Sequence, residues 1–448
     1  MSEPSLTESS IRFGAGAKLG AEIVGRALQF VLIYVAQRAL GPAGYGQFAY
    51  AMAIGVVLVP VTDLGLQLTV TQQVSQNRER ARLIAGSGLA LKLALAAPAV
   101  ILLVAVSGSR PPGLRLASFA AGLSLVVGSF VEFFGYAFRG LQRVPYDAAL
   151  GLAARAVTVA LGLGMLASGF GVPGLAGAYL AGATLGAACG YRWLRRRFFR
   201  PVLALRGWHR LLRPALPLGV ATVLSIAYTR TAVFLLDALQ GPAAVGLYSV
   251  AQKLTEPLAI IPAAAMASVF PALVARRQSQ DGAAERLAIR TLWLLGSAGA
   301  LAALGGSLGG PWLIPLLYGE QYAGSIAPFQ ILSLGVLLTF LNYALTHFVI
   351  AHERRLRYLL FTAGVFGVNL LLCLALIPRL GPVGAALAAL VSEAVLFVLC
   401  WQAIPWAALT ACRVQRAGYG AHRSVAYPAP SAPHPTPDAG WPRGALER

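Results

Sequence analysis

The chain is a succession of apolar stretches, most of roughly 20 residues, joined by short polar or charged links. Such a run rises about 30 Å as an α-helix, the thickness of a bilayer's hydrocarbon core, and a helix satisfies its own backbone hydrogen bonds in lipid. The pattern therefore predicts an all-α integral membrane protein. Twelve spans are read, over residues 19–40, 45–66, 83–106, 116–138, 148–167, 172–191, 216–239, 245–269, 292–316, 329–350, 358–377 and 383–404. Only 12% of the 448 residues are charged, about half of what a soluble domain uses to coat its surface. The alternating strands of an outer-membrane barrel are not seen.

The formal net charge of +20 has a location that explains it. One set of alternate links carries Arg78, Arg80 and Arg82, then Arg139 and Arg143, then the basic run from Arg192 to Arg213, then Arg276, Arg277, Arg286 and Arg290, then Arg354, Arg355 and Arg357. The opposite set carries only Arg38, Arg110, Arg115 and Arg379. Positive links stay on the cytoplasmic side, so both termini are expected there, as an even number of spans requires. No nucleic-acid partner is needed to account for the charge. The four cysteines have no metal-binding or disulfide spacing, and no cofactor is expected. The N-terminal stretch "MSEPSLTESSIRFGAGAKLG" lacks the apolar core and cleavage site of a secretory signal, so the first helix is expected to be retained.

A phrase is written twice: "GPAGYGQFAYA" from Gly41 and "GPAAVGLYSVA" from Gly241. Each lies between the first and second span of a group of six. An offset of six spans keeps the orientation, so the repeat is parallel, a plan that places a cavity between two bundles. A bare Gly-Pro turn between helices would also explain the shared first two residues. The expected organisation is a six-helix bundle over 1–194, a basic cytoplasmic connector over 195–213, a second bundle over 214–406 and a disordered cytoplasmic tail over 407–448, rich in Pro, Ala and Gly. The basic residues of the tail are expected to rest on anionic lipid, and the spans to meet membrane lipids.

These segments, with "DLGLQLTVTQQVSQ", "LLYGEQYAGSIAPFQILSLG" and "LIPRLGPVGAALAALVSEAV", resemble the bacterial polysaccharide flippases of the multidrug/oligosaccharidyl-lipid/polysaccharide exporter superfamily. The resemblance covers nearly the whole chain up to the tail. It implies two six-helix bundles around a central cavity, moving a lipid-linked oligosaccharide, often carried on undecaprenyl pyrophosphate, to the outer leaflet of the bacterial cytoplasmic membrane. A polysaccharide polymerase or other assembly proteins are the partners it implies. It also points to basic residues in the first and later cavity-lining helices.

A pyrophosphate headgroup needs cations, and a charge at mid-bilayer costs about 3 kcal/mol even on the gentler insertion scale, so such residues line water or pair. Arg26, Arg155, Arg230 and Lys253 lie within spans and are the candidate substrate-binding residues. Guanidinium suits phosphate because it donates two parallel hydrogen bonds. Against this, Glu22 lies one turn before Arg26 and Glu256 one turn after Lys253, where the pairs can neutralise one another; Arg230 has no acid one turn away. Lys92 and Arg155 sit where they could snorkel to helix ends. Glu132 is the most isolated acid and the candidate for coupling to a proton or sodium ion, or else the counter-ion of Arg155. Glu393 is expected to face neighbouring helices. Asn342, Tyr343 and His347 could bond sugar hydroxyls or join helices.

Two other functions compete. A membrane-embedded glycosyltransferase or polymerase would need a sizeable outer loop with acids or arginines, and every outer link here is short; no pair of carboxylates, metal cluster or phosphate loop suggests an enzyme. A cation-coupled multidrug exporter of the same superfamily would show acids dominating the cavity.

Overall fold

The computed structural model describes residues 8–202, 208–276, 283–351 and 355–403. Every regular element among them is helical. In order these are α1 (Glu8–Asp63), α2 (Leu66–Gln76), α3 (Ala81–Gly108), α4 (Pro112–Gly140), α5 (Val144–Ala167), α6 (Gly171–Arg197), α7 (Trp208–Gln240), α8 (Pro242–Thr255), α9 (Ile260–Arg276), α10 (Ala283–Tyr318), α11 (Ile326–Ala351), α12 (Arg355–Leu380) and α13 (Pro382–Ala403). Among the described residues ten helical stretches are long and apolar enough to cross a membrane; the first of them, Gly16–Asp63, contains the first expected span and nearly all of the second, and the seventh expected span, in α7, is not among the ten. The chain is a multi-span helical membrane protein. Residues Met1–Ile404 form one compact unit; the expected tail, in Pro405–Arg448, lies outside the described residues.

The two copies of the repeated phrase have the same backbone. Gly41 breaks α1 at φ 65, ψ 178, and Gly241 precedes α8 at φ 82, ψ 179, a region open almost only to glycine. In each copy the next residue is proline, whose missing N–H costs nothing at a helix start. The chain therefore reverses at both points by the same device.

Two features differ from the sequence expectation. The second span ends at Asp63 rather than near residue 66, because Leu64 and Gly65 both take positive φ (39 and 79), and α2 follows as a further short helix. The eighth span is broken into α8 and α9 by a 3₁₀ turn, Glu256–Ala259. Pro257 supplies the cause: it has no N–H to donate and its ring crowds the carbonyl four residues back.

α4 touches every other helix of the first six spans, while α1 packs on α4 and α5 and also along α8 and α7. At the α1–α8 crossing the repeated phrases meet each other reciprocally. A Cβ added at Gly46 would overlap the Pro242 carbonyl oxygen, and one added at Gly246 would overlap that of Pro42. The same end of the molecule, the arginine-poor face, carries more contacts between the first six spans and the rest. Tyr322 Oη donates to the Gln37 carbonyl at 2.9 Å, Gln321 Nε2 to the Arg38 carbonyl at 3.3 Å, and Tyr50 meets Phe234 edge-on. Arg110, before α4, pairs with Asp237 of α7 while its guanidinium lies 3.7 Å over the Tyr50 ring.

Gly46→Ala is expected to exceed the roughly 1–3 kcal/mol of an overpacked core, since backbone must move. Gly151→Ala, where nothing lies within 4 Å of the new methyl, is expected to be neutral or to gain up to about 1 kcal/mol. Thermal unfolding of the two detergent-solubilised variants, followed by size-exclusion, checks the contrast.

Candidate functional site

Among the described residues, three cavities carry charged or amide side chains in their walls. The first, about 350 Å³, opens between α1, α4, α5 and α6, with Gln29, Glu132, Arg155 and Tyr179 in its wall. A second of about 300 Å³ lies among α7, α8, α11, α12 and α13, with Glu256, Asn369 and Glu393. The third, about 220 Å³, sits where α1 and α6 face α7 and α8: Gln29 and Tyr179 on one side, Arg230, Gln252 and Lys253 on the other. Gln29 and Tyr179 are shared by the first and third, and Gln252 by the second and third. The cavities therefore adjoin.

The sequence-predicted charges gather into two groups. In the first, Glu22 of α1 accepts Arg155 at 3.0 Å, pairs with Lys18 at 3.2 Å and lies 3.6 Å from Arg26. Lys18 continues to Asp147 at 3.1 Å, which also meets Arg139 at 2.8 Å. Four cations thus share two carboxylates. In the second, Glu256 takes Arg230 at 3.3 Å through one oxygen and Lys253 at 3.1 Å through the other. Two cations share one carboxylate. Each group retains positive charge after its internal pairing.

Individual positions differ from expectation in instructive ways. Arg155 does not snorkel; it lies halfway along α5, in the wall of the first cavity, and its ion-pair partner is Glu22 rather than Glu132. Glu132 opens into that same cavity. Arg26 has a side chain 65% exposed and is not in the walls of these three cavities. Arg230, without an acid on its own helix turn, finds one on the following span. Asn342 stands behind a wall, donating to both the side chain (2.7 Å) and the backbone carbonyl (2.9 Å) of Glu393, so it joins α11 to α13. His347 stacks on Tyr343 and meets Phe270 edge-on.

Lys92 also does not snorkel. Its side chain is fully buried, with Nζ 2.8 Å from Asp63 and the Phe130 ring 5.4 Å away. Sequence reasoning missed this pair because its members are on different spans; the one available signal was an acid ending one span and a lysine within the next. Gln29, Tyr179 and Gln252 were missed as well. Nothing in the sequence separates these cavity residues from ordinary interhelical polar groups.

The fold and these cavities define a multi-span helical membrane protein with adjoining, mainly apolar cavities into which a few charged and amide side chains project. More specifically, the chain belongs to the polysaccharide biosynthesis protein family, whose profile matches residues 13–275. No curated protein matches it in sequence. Among solved structures, the fold is similar to the lipid II flippase MurJ in an inward closed conformation (TM-score 0.70, 11% identity, 92% of this chain and 94% of that one). It is also similar to an inward-facing multidrug resistance MATE family transporter of the MOP superfamily (TM-score 0.69, 17% identity, 86% and 95%). A third is a MOP superfamily transporter from Pyrococcus furiosus (TM-score 0.61, 16% identity, 92% and 100%).

The buried pair gives a stability prediction. Lys92→Met alone leaves Asp63 without its cation and is expected to cost about 3 kcal/mol or more, while Lys92→Met with Asp63→Leu is expected to return most of that loss. Thermal unfolding of the single and double variants measures the difference.

Proposed function

We propose that this protein is a flippase, carrying a lipid-linked oligosaccharide on a polyprenyl diphosphate from the inner to the outer leaflet of a bacterial cytoplasmic membrane, for surface polysaccharide biosynthesis. The observation that carries this reading is the excess of cations over carboxylates in both charged groups of a chain from the polysaccharide biosynthesis family. Arg230 and Lys253 in the wall of the third cavity hold the diphosphate, assisted by Arg155 in the first. Arg26, exposed beside Glu22, receives the headgroup on its way in. Gln29, Gln252 and Tyr179 bond sugar hydroxyls, and the polyprenyl tail stays in the bilayer. Asn342 acts by holding Glu393 in place rather than by touching substrate.

On this reading the arginine-rich links and both termini are cytoplasmic, and the two sets of six spans rock about the Gly46–Gly246 crossing. The Arg110–Asp237 pair then closes the outer mouth. Polymerase and other assembly proteins would take the product at the outer face.

One observation favours the cation-coupled exporter as the second reading: Glu132 presents a carboxylate to the first cavity, where it could bind a proton, a sodium ion or a cationic drug. In a flippase the same residue would couple an ion gradient to transport.

Translocation of a fluorescent undecaprenyl-diphosphate oligosaccharide in proteoliposomes tests the proposal. Wild type is expected to move it, and Arg230→Ala to lower the initial rate at least about tenfold, the loss of one charge-assisted phosphate contact. A wild type that leaves this lipid in place yet moves hydrophobic cations would instead be an exporter. For the outer mouth, Asp237→Asn is expected to speed labelling of a cysteine at Ser249 by an impermeant thiol reagent about fivefold, equivalent to about 1 kcal/mol of closing energy.

A further inference from the structure

Glu256 holds a position that its role as a counter-ion does not require. It is the first residue of the 3₁₀ turn that separates α8 from α9, where the α-helical hydrogen-bond ladder of the eighth span is interrupted. Lys253, which grips its Oε2, belongs to the last turn of α8. Arg230, which grips its Oε1, belongs to α7. The two ion pairs therefore tie the start of the joint to the end of α8 and to α7.

The cations and the carboxylate also look into different spaces. Arg230 and Lys253 line the third cavity, whereas Glu256 lines the second. The carboxylate stands in the partition, so it has somewhere to turn if its partners are taken. Arg230 is moreover incompletely used, since its buried Nε has no hydrogen-bond partner. A guanidinium that spends only one Nη on a carboxylate at 3.3 Å still has the paired donors that a phosphate oxygen fork prefers.

We propose that Glu256 is a displaceable internal counter-ion: a diphosphate entering the third cavity takes Arg230 and Lys253 from it, and the freed carboxylate releases the start of the α8–α9 joint from α7, so that loading an anion licenses the rearrangement of the eighth span. This rests on the reading of the third cavity as the diphosphate site. The charge balance supports it. Arg230, Lys253 and Glu256 sum to one positive charge, while a diphosphate ester brings at least two negative charges, enough to satisfy both cations without Glu256. A ligand shifts a conformational equilibrium only through contacts that differ between the states; here the differing contact is the carboxylate the ligand evicts. Neutral and cationic lipids, which cannot compete for the two cations, would leave the joint clamped.

The experiment uses the full chain in nanodiscs with farnesyl diphosphate as probe and farnesol as the uncharged control. Spin labels at Ser75→Cys on α2 and Ser268→Cys on α9, in a background with the other cysteines changed to serine, report the rearrangement by electron–electron distance measurement. Wild type is expected to bind farnesyl diphosphate and to shift its distance distribution on binding. Glu256→Gln is expected to bind it about tenfold more tightly, having lost the competing carboxylate, and to show the shifted distribution before any ligand is added. Should Glu256→Gln not purify as a monodisperse protein, Glu256→Asp, which withdraws the charge by one methylene, is expected to move both readouts the same way to a smaller degree. If wild type binds the diphosphate but the Glu256 variant that purifies neither tightens binding nor shifts the distances, the counter-ion role is overturned and the diphosphate site survives. If wild type prefers farnesyl diphosphate to farnesol no more than Arg230→Gln does, the diphosphate site itself is overturned, and this inference with it.

Discussion

The close approach of two backbones at Gly46 and Gly246 is the contact on which the arrangement of the helices depends. Without side chains at these two positions, α1 and α8 cross with each glycine against the other phrase's proline carbonyl. In lipid, where apolar side chains gain little by leaving the solvent, helices associate through close packing of small residues. That crossing brings the arginine-poor ends of the two sets of spans together. Arg110–Asp237 and the bonds from Gln321 and Tyr322 surround the same end, where these helices already touch. A second close approach, Gly219 of α7 against the Leu64 backbone, joins the two sets of spans away from this crossing.

A second constraint acts on the charges. None can be left bare in hydrocarbon, and the structure meets this by letting every clustered cation share a carboxylate, although each cluster holds fewer carboxylates than cations. Lys92 and Asp63 show the opposite solution, a one-to-one pair in which the lysine is wholly buried. A one-to-one pair is suited to holding helices, and an unbalanced cluster is suited to receiving an anion. The distinction lies in stoichiometry rather than in residue type, since both use the same basic and acidic side chains.

Much of the fold was legible beforehand because span formation is a local matter. Each apolar run closes its hydrogen bonds over four residues, and the Gly-Pro turns, alike in conformation at Gly41 and Gly241, announce themselves by composition. The break at Pro257 was written in the sequence too, although the hydropathy of the surrounding residues concealed it as one continuous span. The short helix α2 was missed for a related reason: its residues are too polar for a span, and its start depends on positive φ at Leu64 and Gly65.

The sequence by itself determined a membrane protein of many helices, the asymmetry of its charged links, the repeated turn, and which charges lie within spans. Only the tertiary structure decided what those charges meet. Glu22 and Arg155 are 133 residues apart, and the partner of Arg230 lies on another span. The physical reason is rotational: a helix apolar on nearly every face has no polar stripe to orient it about its axis, so the direction in which Arg155, Arg230 or Lys92 points is set by how neighbouring helices pack. The cavities exist only once those rotations are fixed, and so does the sharing of Glu256 between two cations.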